Sequence, residues 1–274
     1  MPVRFRGTTL REGALLHGPA GWGEFSPFGE YGPRECARWL ACALEAAVLG
    51  WPAPVRHSVP VNVTVPAVGP AQARAIVTGS ACRTAKVKVA EPGQVPGEDI
   101  ARVAAVREAI GPNGKVRVDA NGHWDVGQAE QMLTALADCD LEYAEQPCAT
   151  LGELAELRKR VSVPVAADES IRRAEDPMAV QAAGAADIVV LKAQPLGGAR
   201  AALRIAAQCG LPVVVSSAVD TSIGLAAGVA LAAALPSLQY ACGLATMSLL
   251  AGDVTADPLT EAGGSVPVRA AAVD

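Results

Sequence analysis

The sequence has no excess of positive charge and no hydrophobic run long enough to cross a bilayer. Its 274 residues carry 23 Lys and Arg against 28 Asp and Glu, a net charge of −5, which disfavours nucleic acid or an anionic membrane as a partner. The most apolar stretch, residues 223–235, contains two glycines and stops at Pro236, so it predicts a buried helix. Residues 1–10 contain no apolar segment of signal-peptide length, and we therefore expect a cytoplasmic protein.

Two common site patterns are also missing. The seven cysteines include no C-x-x-C pair, which disfavours both a disulfide framework and a structural zinc site. No G-x-G-x-x-G follows a predicted strand, and this absence disfavours an open, doubly wound nucleotide-binding sheet. With 51% hydrophobic and 19% charged residues, the chain has the composition of a folded globular protein rather than a disordered one. A small-molecule partner is the expectation that remains.

Short β-branched runs recur along the chain with room for one helix between each pair. Strands separated in this way pair in parallel through crossover helices, and eight such units predict a closed α/β barrel. We expect a catalytic barrel at residues 58–245 and a capping domain at residues 1–57 that is completed by residues 246–274. The predicted strands lie at residues 58–65, 85–90, 115–120, 140–146, 163–168, 187–192, 211–216 and 238–242.

Acidic residues end three successive predicted strands. Asp119, Glu145 and Asp168 would meet at the carboxyl ends of the strands, where the loops of a parallel barrel surround a common pocket. Three close carboxylates repel one another unless a cation lies between them. Carboxylate oxygens completed by water suit Mg²⁺ better than zinc. The alternative for any one of these residues is a cap on the following helix.

Lysine is scarce, with five lysines against 18 arginines, yet three of the five end predicted strands. Lys86 and Lys88 are two residues apart on one strand, so both point into the barrel, and Lys192 ends the sixth strand. Unlike arginine, a lysine can lose its proton near neutral pH when burial or a nearby cation lowers its pKa. Lys88 is the candidate base, Lys86 with the metal would lower the pKa of Lys88, and Lys192 would approach the substrate from the opposite side.

These residues belong to motifs that follow one another along the chain. The motifs are Lys86-x-Lys88, Asp119-Ala-Asn121-Gly122, Glu145-Gln146-Pro147, Asp168-Glu169-Ser170, Lys192 and the loop GWGEFSP at residues 21–27. In this order they resemble the enolase superfamily. The resemblance implies a (β/α)7β TIM-like barrel with a small α+β capping domain. It also implies Mg²⁺, replaceable by Mn²⁺, on Asp119, Glu145 and Asp168, with Lys88 as the base that forms an enediolate.

Within that superfamily the sequence looks like the members that dehydrate 2-succinyl-6-hydroxy-2,4-cyclohexadiene-1-carboxylate in menaquinone biosynthesis. In that reaction Lys192 would place its ammonium near the substrate ring, and Ser216, Ser217 and Asn121 would contact the substrate. The rival activity is racemisation of N-succinylamino acids, with Lys88 and Lys192 as bases on opposite faces. A metal-binding barrel without catalysis is a further alternative. Residues 21–26 are interpreted as a lid, and the oligomeric state stays open.

Overall fold

The structure, a computed structural model, describes residues 1–3, 8–173 and 176–274. Residues 4–7 of the N-terminal segment assessed above lie outside the described residues. The strands are β1 (Ala14–Gly18), β2 (Gly21–Phe25), β3 (Ser58–Pro60), β4 (Val63–Val65), β5 (Thr84–Lys88), β6 (Lys115–Asp119), β7 (Leu141–Glu145), β8 (Val165–Ala167), β9 (Ile188–Leu191), β10 (Val213–Val215) and β11 (Ser265–Pro267). The helices are α1 (Pro33–Leu44), α2 (Pro70–Thr78), α3 (Pro96–Ile110), α4 (Val126–Ala135), α5 (Leu151–Leu157), α6 (Glu169–Arg172), α7 (Ala179–Ala182), α8 (Ala199–Cys209) and α9 (Ser222–Ala234), with a π-helical turn at Glu45–Leu49 and 3-10 turns at Ala137–Cys139 and Thr246–Leu249.

The chain divides into two compact units. The first unit comprises Met1–Val61 and Leu191–Asp274, and the second unit comprises Asn62–Val190. The domain boundaries expected from the sequence, after residue 57 and before residue 246, stay a prediction.

The second unit is built on parallel strands that pair in chain order from β4 to β9. Every residue of β5, β8 and β9 is buried, as expected where helices connect parallel strands. The helices begin at local signals in the sequence. At the start of α4, for example, the Asp125 carboxylate accepts from Gln128 N at 2.8 Å and the Gln128 side chain accepts from Asp125 N at 3.1 Å, which is a capping box. The predicted parallel arrangement is confirmed for these strands.

In the first unit, β1 and β2 form an antiparallel hairpin. A Cβ on Gly23 would lie 2.1 Å from the carbonyl oxygen of Ala43, and a Cβ on Gly18 would lie 2.4 Å from that of Ala47. These glycines are therefore needed for close packing of the hairpin on α1 and the π-helical turn. Glu24 and Ser26 are also buried. The interpretation of residues 21–26 as a lid is wrong, because the segment is a packed strand.

The first and last predicted strands need correction. The run at 58–65 splits, because β3 pairs antiparallel with β11 and only β4 joins the parallel strands of the second unit. Because Val266 pairs with Val59, the C-terminal segment forms a two-stranded sheet with a strand from the N-terminal part of the first unit. The run at 238–242 is not a strand, since only isolated bridges form there, from Cys242 to Val61 and from Gly243 to Ser216.

The apolar segment at 223–235 does form a buried helix, α9. Over the described ranges, the structure contains no helix with both the length and the hydrophobicity that a membrane span requires.

Candidate active site

Asp119, Glu145 and Asp168 lie at the carboxyl ends of neighbouring parallel strands in the second unit. Asp119 ends β6 and Glu145 ends β7, and the strand register pairs the two residues directly. Asp168 follows β8 without a gap. All three side chains are buried. The structure therefore brings the predicted carboxylates to one edge of the sheet, because parallel strands end on the same side.

Lys86 and Lys88 bind two of these carboxylates, those of Glu145 and Asp119. Lys86 Nζ lies 3.0 and 3.2 Å from the two carboxylate oxygens of Glu145 and 3.2 Å from Asp119 Oδ2. Lys88 Nζ donates to Asp119 Oδ2 and to Asn121 Oδ1, both at 2.6 Å. Both lysines are buried. The two ammonium groups thus balance the charges of Asp119 and Glu145 in this geometry.

The two lysines differ in their proton affinity. Burial lowers the pKa of each, but for Lys86 the charges of Glu145 and Asp119 outweigh burial and raise its pKa above that of a free lysine. For Lys88 burial prevails and its pKa falls below the usual value, with Asp119 opposing the shift and the Lys86 charge adding to it. The pair therefore has one firmly protonated lysine beside one that loses its proton more readily.

A hydrogen-bonded chain links Lys88 to Asp168. Asn121 accepts from Lys88 and donates through Nδ2 to Glu169 Oε1 at 3.0 Å. Arg172 then donates to Glu169 Oε1 at 2.5 Å and to Asp168 Oδ1 at 3.1 Å. In this geometry Asn121, predicted to contact substrate, orients the candidate base.

Three members of this network were not identified as site residues from the sequence. Arg172 is only 3% exposed. It lies four positions after Asp168, a spacing that places both residues on one helix face, and this spacing is the signal in the sequence that could have identified it. Gln146 Oε1 accepts from the backbone N–H groups of Asp168 and Ser170 at 2.9 and 3.1 Å. Glu169 follows Asp168 directly and accepts from both Asn121 and Arg172.

The donor set of this site suits a hard cation. Three buried carboxylates at one sheet edge are the oxygen ligands that Mg²⁺ takes in proteins, so the residues present fit this ion. Within the described residues, however, no three His, Cys, Asp or Glu side chains are arranged to hold a metal ion. The three carboxylates are instead in ion pairs, since Lys86 bridges Glu145 and Asp119 while Arg172 binds Asp168.

Lys192, Ser216 and Ser217 belong to the first unit. Lys192 follows β9 and is 7% exposed. Ser217 Oγ donates to the Gly243 carbonyl at 2.9 Å and lies 2.8 Å from Thr246 Oγ1, and Ser216 Oγ lies 3.4 Å from the same Gly243 oxygen. Both hydroxyls thus bind neighbouring protein groups, and their contact with substrate stays a prediction.

Comparison with known proteins gives matches over nearly the whole chain. The family described as Enolase C-terminal domain-like matches residues 70–272, and the family described as Enolase N-terminal domain-like matches residues 1–47. A protein of Thermobifida fusca named o-succinylbenzoate synthase is 69% identical over 267 residues, which cover 97% of this chain and 84% of the relative. A protein of Mycobacterium ulcerans with the same name is 58% identical over 274 residues, which cover 99% and 83%.

Among solved structures, the muconate lactonizing enzyme from Pseudomonas putida matches with a TM-score of 0.77 at 23% sequence identity. The match covers 95% of this chain and 94% of that protein. At this identity the likeness establishes a shared fold and nothing further. The barrel class with a capping domain, predicted from the sequence, is confirmed by it.

Proposed function

The chain belongs to the enolase superfamily, and from that premise we propose that it is an o-succinylbenzoate synthase. The proposed reaction is the syn dehydration of 2-succinyl-6-hydroxy-2,4-cyclohexadiene-1-carboxylate to 2-succinylbenzoate in menaquinone biosynthesis. The observation that carries this proposal is the 69% identity to a relative with that name over 97% of the chain. The lysines and carboxylates at the strand ends support the class of chemistry.

Asp119, Glu145 and Asp168 would hold Mg²⁺, which members of the superfamily generally use. When bound, the ion supplies positive charge to the substrate carboxylate and stabilises the negative charge that develops there. For these side chains to turn toward a metal, the ammonium groups of Lys86 and Lys88 would have to give up part of their present contacts. We expect Mn²⁺ to substitute for Mg²⁺.

Lys88 is the proposed base. In its neutral form, its Nζ removes the proton from the ring carbon next to the carboxylate, and the electron pair of that C–H bond passes into the carboxylate as an enediolate. The C–O bond to the ring hydroxyl then breaks, and the proton on Lys88 leaves with the hydroxide as water. The two losses make the ring aromatic, so a single base on one face is sufficient. Asp119 and Asn121 fix the position of the lysine, and burial favours its neutral form.

Lys192 has a different role in this proposal. Its ammonium would lie near the ring of the intermediate, where a cation–π contact stabilises charge without moving a proton. In the alternative reaction, racemisation of an N-succinylamino acid, Lys192 would instead be the second base. One solved structure of the same fold, at 25% identity, is a dipeptide epimerase from Enterococcus faecalis. This match motivates a direct comparison of the two activities.

The test is a parallel assay of the purified protein with Mg²⁺ on the cyclohexadiene substrate and on N-succinylamino acids. Proton exchange in deuterated solvent reports base action on the amino acids, one stereoisomer at a time. Lys88→Ala should abolish dehydration, since loss of general acid–base catalysis costs about 10²- to 10⁴-fold and this lysine serves in both steps. Lys192→Arg keeps the charge but cannot act as a base, so it should retain part of the dehydration and lose any racemisation. Faster racemisation than dehydration by the wild type would overturn the proposal.

A further inference from the structure

A small polar cavity of about 10 Å³ lies in the first unit beside Lys192. Its lining includes Lys192, Gln194, Ser217, Asp220 and Gly224. Gln194 and Asp220 are each only 3% exposed. In the described part of the chain, the two polar atoms of the Gln194 amide and Oδ1 of Asp220 have no hydrogen-bond partner. Three buried polar atoms without partners therefore belong to residues that line one cavity.

Buried polar atoms without hydrogen-bond partners lower the stability of a folded protein. A buried polar group without a hydrogen bond destabilises a protein by about 1–3 kcal/mol, and native structures contain few of them. An apolar side chain at position 194 would avoid this cost. The presence of the amide therefore indicates a partner that the protein atoms do not provide.

Gly224 keeps the space around the amide open. A Cβ at this position would lie 2.3 Å from Gln194 Nε2, 2.8 Å from Asp220 Cβ and 2.8 Å from Glu24 Cδ. The glycine is in the first turn of α9 and has no positive φ, so its backbone conformation does not require glycine. Glycine destabilises a helix interior by about 1 kcal/mol relative to alanine. We therefore infer that glycine is needed at this position because it leaves space beside the Gln194 amide.

Size and charge identify the occupant. A carboxylate of the substrate would face the buried acidic groups Asp220 and Glu24, and it is larger than the cavity. A single water molecule needs about 10–15 Å³ and two to four polar partners, and it can both donate to Asp220 and accept from the amide. Lys192 adds a charged donor, since an ammonium has three N–H groups, and its charge acts on Asp220.

We propose that the cavity binds one water molecule that links Gln194 and Asp220 to the ammonium of Lys192. Both residues are then positioning residues for Lys192, and the water provides the partner that the buried amide of Gln194 lacks among the protein atoms. This role rests on the proposed function, in which Lys192 must be held near the substrate ring.

The test is a double-mutant cycle in the Mg²⁺-loaded enzyme with Gln194→Leu and Lys192→Ala. Gln194→Leu should lower kcat about tenfold, the size expected for losing one hydrogen bond to a charged group, with KM nearly unchanged. Its free energy of unfolding should stay close to that of the wild type, because the substitution removes the buried amide together with the water that binds it. In the Lys192→Ala background the same change should have no further effect on residual turnover. Gln208→Leu, the same substitution on the exposed side of α8, is the matched control and should leave kcat unchanged.

Equal losses of kcat in both backgrounds would overturn the proposal, and so would an unchanged kcat or a parallel loss of turnover and stability. A crystal structure supplies a readout that needs no turnover. It should contain one water within hydrogen-bond distance of Gln194, Asp220 and Lys192 Nζ in the wild type and no such water in Gln194→Leu. A dry cavity in the wild type refutes the water site even if the dehydration is found, whereas a bound water in a protein that does not dehydrate the cyclohexadiene refutes only the proposed function.

Discussion

Glu24 makes the stability of this protein depend on pH, and the sign is opposite to that of an ordinary salt-bridged carboxylate. Burial raises the pKa of Glu24 from 4.5 to about 7, and the neighbouring Asp220 charge adds to the rise, while hydrogen bonds from Ser26, Thr221 and Gly224 oppose it. The folded chain therefore holds the proton more tightly than the unfolded chain between these two pH values. Stability contributed by the neutral form is complete below about pH 4.5 and is lost as the pH rises through about 7.

The size of the effect follows from the two pKa values. Between pH 5 and pH 8 the unfolded state releases the proton first, and the free energy of unfolding should fall by about 2.5 kcal/mol because of Glu24 alone. Glu24→Gln removes this dependence with little change in geometry. The amide oxygen of glutamine can accept from Gly224 N, which now donates to Glu24 Oε2 at 3.0 Å, and its NH₂ group can donate to Ser26 Oγ, which lies 2.5 Å from Glu24 Oε1.

The assay is urea unfolding of the wild type and Glu24→Gln at pH 5 and pH 8, followed by circular dichroism. The wild type should lose about 2.5 kcal/mol more than the variant over this range, and the variant should be the more stable of the two at pH 8. Glu12→Gln, at an exposed position, is the matched control and should retain the wild-type dependence. An identical pH dependence in the wild type and Glu24→Gln would refute the assignment of the effect to Glu24.

Two further predictions concern the metal and the hairpin of the first unit. Chelation should abolish turnover and Mg²⁺ or Mn²⁺ should restore it, while Asp119→Asn should weaken Mg²⁺ binding in calorimetry without changing the far-UV spectrum. Full turnover by protein shown to be metal-free would remove the metal from the proposal. Gly23→Ala should lower the free energy of unfolding by about 2 kcal/mol or more, because its Cβ would lie 2.1 Å from a main-chain carbonyl oxygen of α1. Gly29→Ala, where a Cβ would meet nothing within 4 Å, should change stability little, and equal effects of the two substitutions would contradict the packing argument.

The sequence by itself determined the features that depend on neighbours along the chain. The spacing of β-branched runs gave the parallel strands of the second unit, since a helix-length segment between two strands forces a crossover. The same spacing of strands placed Lys88, Asp119 and Glu145 at strand ends. Because parallel strands have their carboxyl ends on one side of the sheet, these residues were expected to lie together. The superfamily was identifiable for the same reason, since its motifs are short and ordered.

Tertiary structure decided everything that depends on residues far apart in the chain. Gly224 N donates to Glu24 across 200 positions, so neither the burial of Glu24 nor its raised pKa could be read from residues 21–27, and a glycine-rich strand resembled a flexible lid. The split of residues 58–65 depends on β11, more than 200 positions away, which pairs with β3. A backbone N–H or a carboxylate forms a hydrogen bond with a group that the tertiary fold places within about 3 Å. The residues adjacent in sequence do not determine which group that is.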